Sequence, residues 1–493
     1  MFHKNNNSQE GISTIEILVA FAMIVLCISA VILVVFGNQT ISADAQTNNE
    51  ALLLAQAELE KAQLDGDADY DSVQTASLAD VDIYSRDIII DPASVTQCGK
   101  NVISSVTWPF EQRSLYVDLT TRITDVVTAL AMGGNCDNSP PPPAGWNPPE
   151  TWNCDNFNPG KPTGLDSLNQ VIYMTGNKTP FLYIADTNGI PKDLNCQAHS
   201  GDLFVEFDNG FDAGKALNDI KVVRLSDGRI YAFVARDTTP GELQVIDVTD
   251  IKNPVSVTIL QLLNVSGALS EAFRIYYYDD RIYVTTREAT GNEFHIFNAS
   301  DPTNIYEMGN ATQLNTTVES FAVNKKGSSY IAYMAADSNS KELLVYDVTD
   351  SNNVFELTNA RRNLPGNQDG ASISLIGNYL YFGRLSAEGS DFYIFDASDP
   401  VNVIGGLPIL NQANIDTSVI GIAVSGIYAY LATTKANAEF QVWTSNPSQA
   451  ITKVNTIPFN FPNVIENGVK YDSNWVYVAS QGQDALRILY NGL

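Results

Sequence analysis

Residues 11–36 are apolar almost without a break, and the run holds a single charge, Glu16. It passes without proline into residues 43–64, where Leu52, Leu53, Ala55, Leu59 and Ala62 stand at helical spacings among Gln, Glu and Lys. The pattern predicts one helix from Ile12 to about Leu64, roughly 80 Å long at 1.5 Å per residue. An apolar run of this length predicts that the first half crosses a membrane, and a carboxylate inside it needs a partner. Helical spacing then gives way to strand-like runs at residues 82–90, 102–108 and 114–123, the last two joined by a short turn.

Pro140 to Pro143, with Gly145, Trp146, Pro148 and Pro149 close behind, predict a stiff extended spacer, because consecutive prolines favour polyproline II geometry. From about residue 169 a unit recurs: an apolar strand, a second strand rich in Tyr, a short polar loop, and a third strand opened by an acid. Those acids are Glu242, Glu293, Glu342, Asp391 and Glu439, at intervals of 48 to 51 residues, with weaker members at Asp202 and Asp484. Several short strands at such a period argue for a β-propeller, and seven repeats for seven blades. The third strands end in Val-Thr-Asp or Ala-Ser-Asp-Pro at 248–250, 299–302, 348–350 and 397–400, which are turn signals, since these side chains bond nearby backbone and proline fixes φ. The last unit stops after its third strand, so residues 152–161 are expected to supply the missing outer strand and close the ring.

At 493 residues the chain is too long for one ordinary core, and its net charge of -28 excludes nucleic acid as a partner of the soluble part. Cys27 lies in the apolar run, while Cys98, Cys136, Cys154 and Cys196 form an even set, as in exported proteins. Four cysteines allow three pairings; Cys98 with Cys136 and Cys154 with Cys196 keeps each pair inside one expected domain. Asp65 to Asp71 carries carboxylates at every second position, which could converge on calcium. The glycine is misplaced for an EF-hand and no closing glutamate follows, so the run reads as a solvated loop and no cofactor is expected.

The leader is polar, carries His3 and Lys4, and meets the apolar block at Gly11 without a small-residue cleavage site. It resembles the leader of type IV pilins and type II secretion pseudopilins. The resemblance implies that a prepilin peptidase cuts after Gly11 and methylates Ile12, and that Glu16, fifth in the mature chain, meets the terminal ammonium of a neighbouring subunit, each charge offsetting the other's desolvation. It also implies other pilin subunits as partners, the inner membrane before assembly, and a long helix packed on a small antiparallel sheet. The repeats in turn resemble LVIVD-type repeats, a propeller family of surface proteins.

The expected fold class is thus an α+β pilin-like module with one long N-terminal helix, followed by an all-β propeller. The expected divisions are a leader (1–11), the long helix with its first half transmembrane (12–64), a β head (65–138), the Pro-rich spacer (139–150) and the propeller (151–493). The expected location is a single-pass membrane protein before assembly, then the cell surface with the head outside.

Candidate chemistry is sparse. Beyond the leader the histidines are His199 and His295, both read as structural rather than as a catalytic base, and no catalytic or metal residue is assigned. Arg236, Arg287, Arg384 and Lys435 sit near the ends of second strands, just before Glu242, Glu293, Asp391 and Glu439. They read either as cross-strand ion pairs or as a ring of charges on one propeller face that meets a glycan. The function expected is that of a minor type IV pilin displaying a propeller for adhesion or for binding a surface glycan or protein. The alternatives are a filament-displayed hydrolase or lyase that uses propeller carboxylates, and a secretion-system pseudopilin.

Overall fold

The computed structural model describes residues 14–68, 70–95, 99–110, 113–124, 150–155, 161–179, 181–187, 213–225, 227–238, 241–260, 271–287, 292–309, 311–386, 389–457, 464–472, 475–481 and 485–490. The chain divides into two units, residues 1–125 and 126–493.

In the first unit no proline interrupts residues 14–68, and they form one α-helix, α1 (Thr14–Ala68). It runs past Leu64, so Asp65 continues the helix where the sequence reads as a loop. Gly66 lets the helix end approach the sheet: a Cβ there would stand 2.6 Å from Ile123 Cγ2. The sheet has four antiparallel strands in chain order, β1 (Ala76–Ser77), β2 (Ser85–Ile90), β3 (Gly99–Phe110) and β4 (Arg113–Thr124). Ala51 and Ala55, four apart on one helical stripe, pack on Tyr84, Val106 and Trp108. Ala62 packs with Val73, Ile88, Val102 and Ile123.

Among the described residues of the second unit, seven antiparallel sheets follow one another along the chain. Each is one blade, and the innermost strands are Pro162–Leu168, Leu217–Arg224, Ala272–Tyr278, Val318–Lys326, Gly370–Ile376, Val419–Ser425 and Val464–Asp472, for blades 1 to 7. Each innermost strand packs on the next, and the seventh packs on the first, so the sheets close into a ring in propeller fashion. Closure is completed by Glu150–Asp155, which pairs antiparallel with Leu486–Tyr490 as the outer strand of blade 7. The chain entering the ring is thereby bonded to its final strand.

Second and third strands are buried on both faces because each blade is sandwiched between two others. This is why they read as unbroken apolar runs rather than alternating ones. The Tyr-rich signal has a fixed place: Tyr173, Phe233, Tyr283, Tyr333, Tyr381, Tyr430 and Tyr477 occupy one equivalent position per blade, all buried. At the strand ends, Asp247, Asn298, Asp347 and Asp396 each accept the backbone N–H two residues on, while Val248, Ala299, Val348 and Ala397 tuck under the turn with no exposure.

Three expectations are corrected. The fold class is mostly β, set by the eight small antiparallel sheets found among the described residues, and an α+β pilin-like module does not describe it. Among the described residues no helix is long and apolar enough to cross a membrane. The transmembrane assignment and the single-pass location therefore do not stand. Gly11 and Ile12, the side chain of Glu16, and the side chains of Cys98, Cys136, Cys154 and Cys196 lie outside the described residues, as does His199.

Candidate functional site: the axial cavity

Inner strands present one side chain in every two to the ring axis, so a single register position repeated over seven strands makes a belt. Opposite the seven buried aromatics, that belt reads Asp166, Lys221, Tyr276, Ala322, Ser374, Ala423 and Lys470. It is divided. Blades 7, 1, 2 and 3 supply Lys470, Asp166, Lys221 and Tyr276, whereas blades 4, 5 and 6 supply only Ala322, Ser374 and Ala423. The small half leaves room and Lys221, Tyr276 and Lys470 of the polar half face it, with Asp166 buried behind the lysines, across a cavity of about 660 Å³ lined by residues from all seven innermost strands. Phe321, Ile373 and Ile422 add apolar wall.

Asp166 is the hub of the polar half. It is buried, accepts the Val222 N–H at 2.8 Å, and stands 3.1 Å from the Lys221 ammonium. Lys470 approaches it only to 4.0 Å. Burial alone would lower Lys221, but the Asp166 carboxylate, Tyr276 and Asp219 outweigh it and hold its pKa above the usual lysine value. For Lys470 burial prevails, with Lys221 and Arg274 adding to it, and its pKa is lowered despite Asp166 and Asp219. One layer away, burial raises the Asp219 pKa, opposed by Arg274, Lys470 and the amides of Ile275 and Ile220.

Beyond Asp219 lies a carboxylate pair. Arg274 donates to Glu466 at 2.5 Å and, through Nε, to the Glu319 carbonyl at 2.7 Å, and its guanidinium lies 3.7 Å from the Glu319 carboxylate. Burial, then the charge of Glu466 and a hydrogen bond with it, raise the Glu319 pKa to about 7 in spite of Arg274. Two carboxyl groups in hydrogen-bond contact share a proton.

The charges singled out from the repeat have a different place. Glu242, Glu293, Asp391 and Glu439 are buried, as is Glu342. Glu293 accepts the Leu314 and Asn315 amides at 2.6 and 3.3 Å, Glu342 accepts Leu364 at 2.9 Å, and Asp391 accepts Ile415 and Asp416 at 3.1 Å each. Glu242 and Glu439 accept Gly241 and Asn437, both at 2.9 Å. The recurring acids thus hold backbone amides of the loops, in three blades those of the segment that returns to the next blade. Arg236 donates to the Gly241 and Ala213 carbonyls and Arg384 to Ser390, while Arg287 lies over the Phe273 ring and Lys435 is exposed. Neither a ring of exposed charges nor a set of surface ion pairs describes them. His295 is fully buried, with Nδ1 2.7 Å from Glu307. Among the described residues no group of His, Cys, Asp or Glu could hold a metal ion.

Sequence reasoning missed the belt and the Glu319–Glu466 pair, both of which depart from the repeat. The signal was a charge at an inner-strand position where other units carry Ala or Ser.

No family model matches the chain, and no curated protein matches it. Among solved structures it is similar to Raptor of Chaetomium thermophilum, at 12% identity and a TM-score of 0.48, covering 72% of this chain and 30% of that one. The chain therefore spans less than a third of Raptor's length. It is also similar to the computationally designed Ika8 protein (11% identity, TM-score 0.42, 85% of this chain and 97% of that). A third likeness is to the dihydro-heme d1 dehydrogenase NirN in complex with DHE (12% identity, TM-score 0.39, 63% and 68%). Likeness this distant carries no functional argument, and nothing in it assigns the chain to an enzyme family.

Proposed function

We propose that the seven-sheet ring is a ligand-binding head, with the axial cavity as its binding site. The divided belt supports this reading: four consecutive blades give up an apolar axial position to charge or phenol, at a cost in desolvation, while three shrink theirs to Ala or Ser. A ring that needed only to be stable would fill its axis with apolar side chains. A cavity of about 660 Å³ with a few converging polar groups matches small-ligand sites in size and character.

The accompanying proposal, which rests on residues 1–16 of the sequence alone, is that the chain presents this head as a minor subunit of a type IV pilin-like filament, for adhesion or surface recognition. For a hydrolase or lyase reading, Glu319 and Glu466 are a carboxylate pair beside the axial cavity, but their shared hold by Arg274 suits proton storage better than acid and base work on opposite sides of a substrate. Glycan-array binding of the full chain, compared with Ser374→Tyr, tests the binding reading. Loss of the signal in a variant that melts like the parent supports the cavity, and unchanged binding refutes it.

A further inference from the structure

The belt is not neutral. Its two ammonium groups, Lys221 and Lys470, share one carboxylate, Asp166, and that carboxylate is already committed to Lys221 and to the Val222 amide. Lys470, on the neighbouring blade, has its side chain about a third exposed toward the cavity and, among the described residues, no hydrogen-bond acceptor. The other cation at the cavity, Arg274, is satisfied by Glu466 and Glu319. Lys470 is thus the belt cation without a hydrogen-bond acceptor among the described residues, although the Asp219 carboxylate also lines the cavity and acts on it through its charge.

We propose that the axial cavity takes a small monoanionic polyol of the sugar-acid class, its carboxylate lodged between Lys221 and Lys470. This inference rests on the binding reading above and narrows it. A single carboxylate would bring the belt to two cations and two anions and give Lys470 the acceptor it lacks, an exchange of full charges that is stronger than neutral hydrogen bonding. Tyr276 and Phe321 offer aromatic surface for a sugar ring, and Ser374 and Asn467 offer hydroxyl and amide partners. Burial holds the Lys470 pKa down, and the charge of an arriving anion would oppose this, so binding would be coupled to proton uptake at high pH.

The test is a thermal-shift and calorimetric titration of the full chain with D-glucuronate and D-galacturonate beside D-glucose and D-galactose, at constant ionic strength. An acidic sugar is expected to bind and its neutral counterpart not to. Lys470→Met should weaken binding about tenfold or more, Lys470→Arg should restore much of it, and Lys453→Met, on an exposed outer strand, should change nothing. Equal binding of neutral and acidic sugars would overturn the anion inference and leave the cavity reading standing. Failure of all four sugars to bind would overturn it as well, and the array comparison with Ser374→Tyr would then decide the cavity reading separately. Acidic-sugar binding that survives Lys470→Met would place the anion elsewhere and also overturn the inference.

Discussion

The Lys470 ammonium stands 4.0 Å from Asp166, a buried carboxylate on the adjacent blade that is already bonded to Lys221. The two ends of this contact are unequal in what they contribute to stability. Removing Asp166 leaves two partly buried ammonium groups without their shared carboxylate and the Val222 amide without its acceptor, so Asp166→Ala is expected to cost about 2 kcal/mol. Lys470→Met removes the less compensated charge and should be neutral or slightly stabilising without ligand. Calorimetric unfolding of the two variants checks the asymmetry; equal losses would contradict it.

Stability should depend on pH through Glu319. Its pKa is about 7 in the folded ring, raised first by burial and then by Glu466, against an ordinary value of 4.5. The unfolded chain thus loses this proton earlier than the folded one, so the stability the group confers is complete below about pH 4.5 and is lost as pH rises toward 7. Glu319→Gln should flatten the fall in melting temperature across that window. An identical slope in parent and variant would exclude Glu319 as its source.

Glu293 tests the role of the recurring acids. Glu293→Ala would leave the Leu314 and Asn315 amides without their acceptor, at a cost of about 2 kcal/mol, with no change in ligand binding. If binding fell while stability held, the acid would belong to a recognition surface after all.

Ring closure predicts coupling between distant parts of the sequence. Ile488 pairs with Tyr477 on one side and Asn153 on the other. Ile488→Pro removes a ladder donor from a strand bonded on both edges, and hydrogen-exchange protection should drop together over Glu150–Asp155 and Trp475–Ser480. Protection lost in the second segment alone would mean that residues 150–155 do not hold the ring shut.

What was legible in the sequence was whatever repeats. The acid-opened third strands, the Tyr of the second strands and the Asp-anchored turns recur because each serves its own blade, and the missing outer strand follows from an incomplete last unit. The closing strand begins at Glu150, two residues before the expected segment. Repetition also misled: the acids at Glu242, Glu293, Asp391 and Glu439 look like surface charge because their loops are polar, yet they turn inward to loop amides. The belt was invisible for the opposite reason. Asp166, Lys221 and Lys470 lie more than fifty residues apart from one another, and only the curvature of the ring brings them together. In the first unit the periodicity gave the helix, but helical spacing cannot tell a membrane span from an exposed apolar helix, and among the described residues no spanning helix is found.

The most direct test of the account is the binding comparison between the full chain and Ser374→Tyr, which places a phenol in the open half of the belt. The account predicts that the variant melts like the parent and loses ligand binding, while an equally bulky substitution at exposed Lys435 retains it. Undiminished binding by a folded Ser374→Tyr chain would contradict the assignment of the axial cavity as the site.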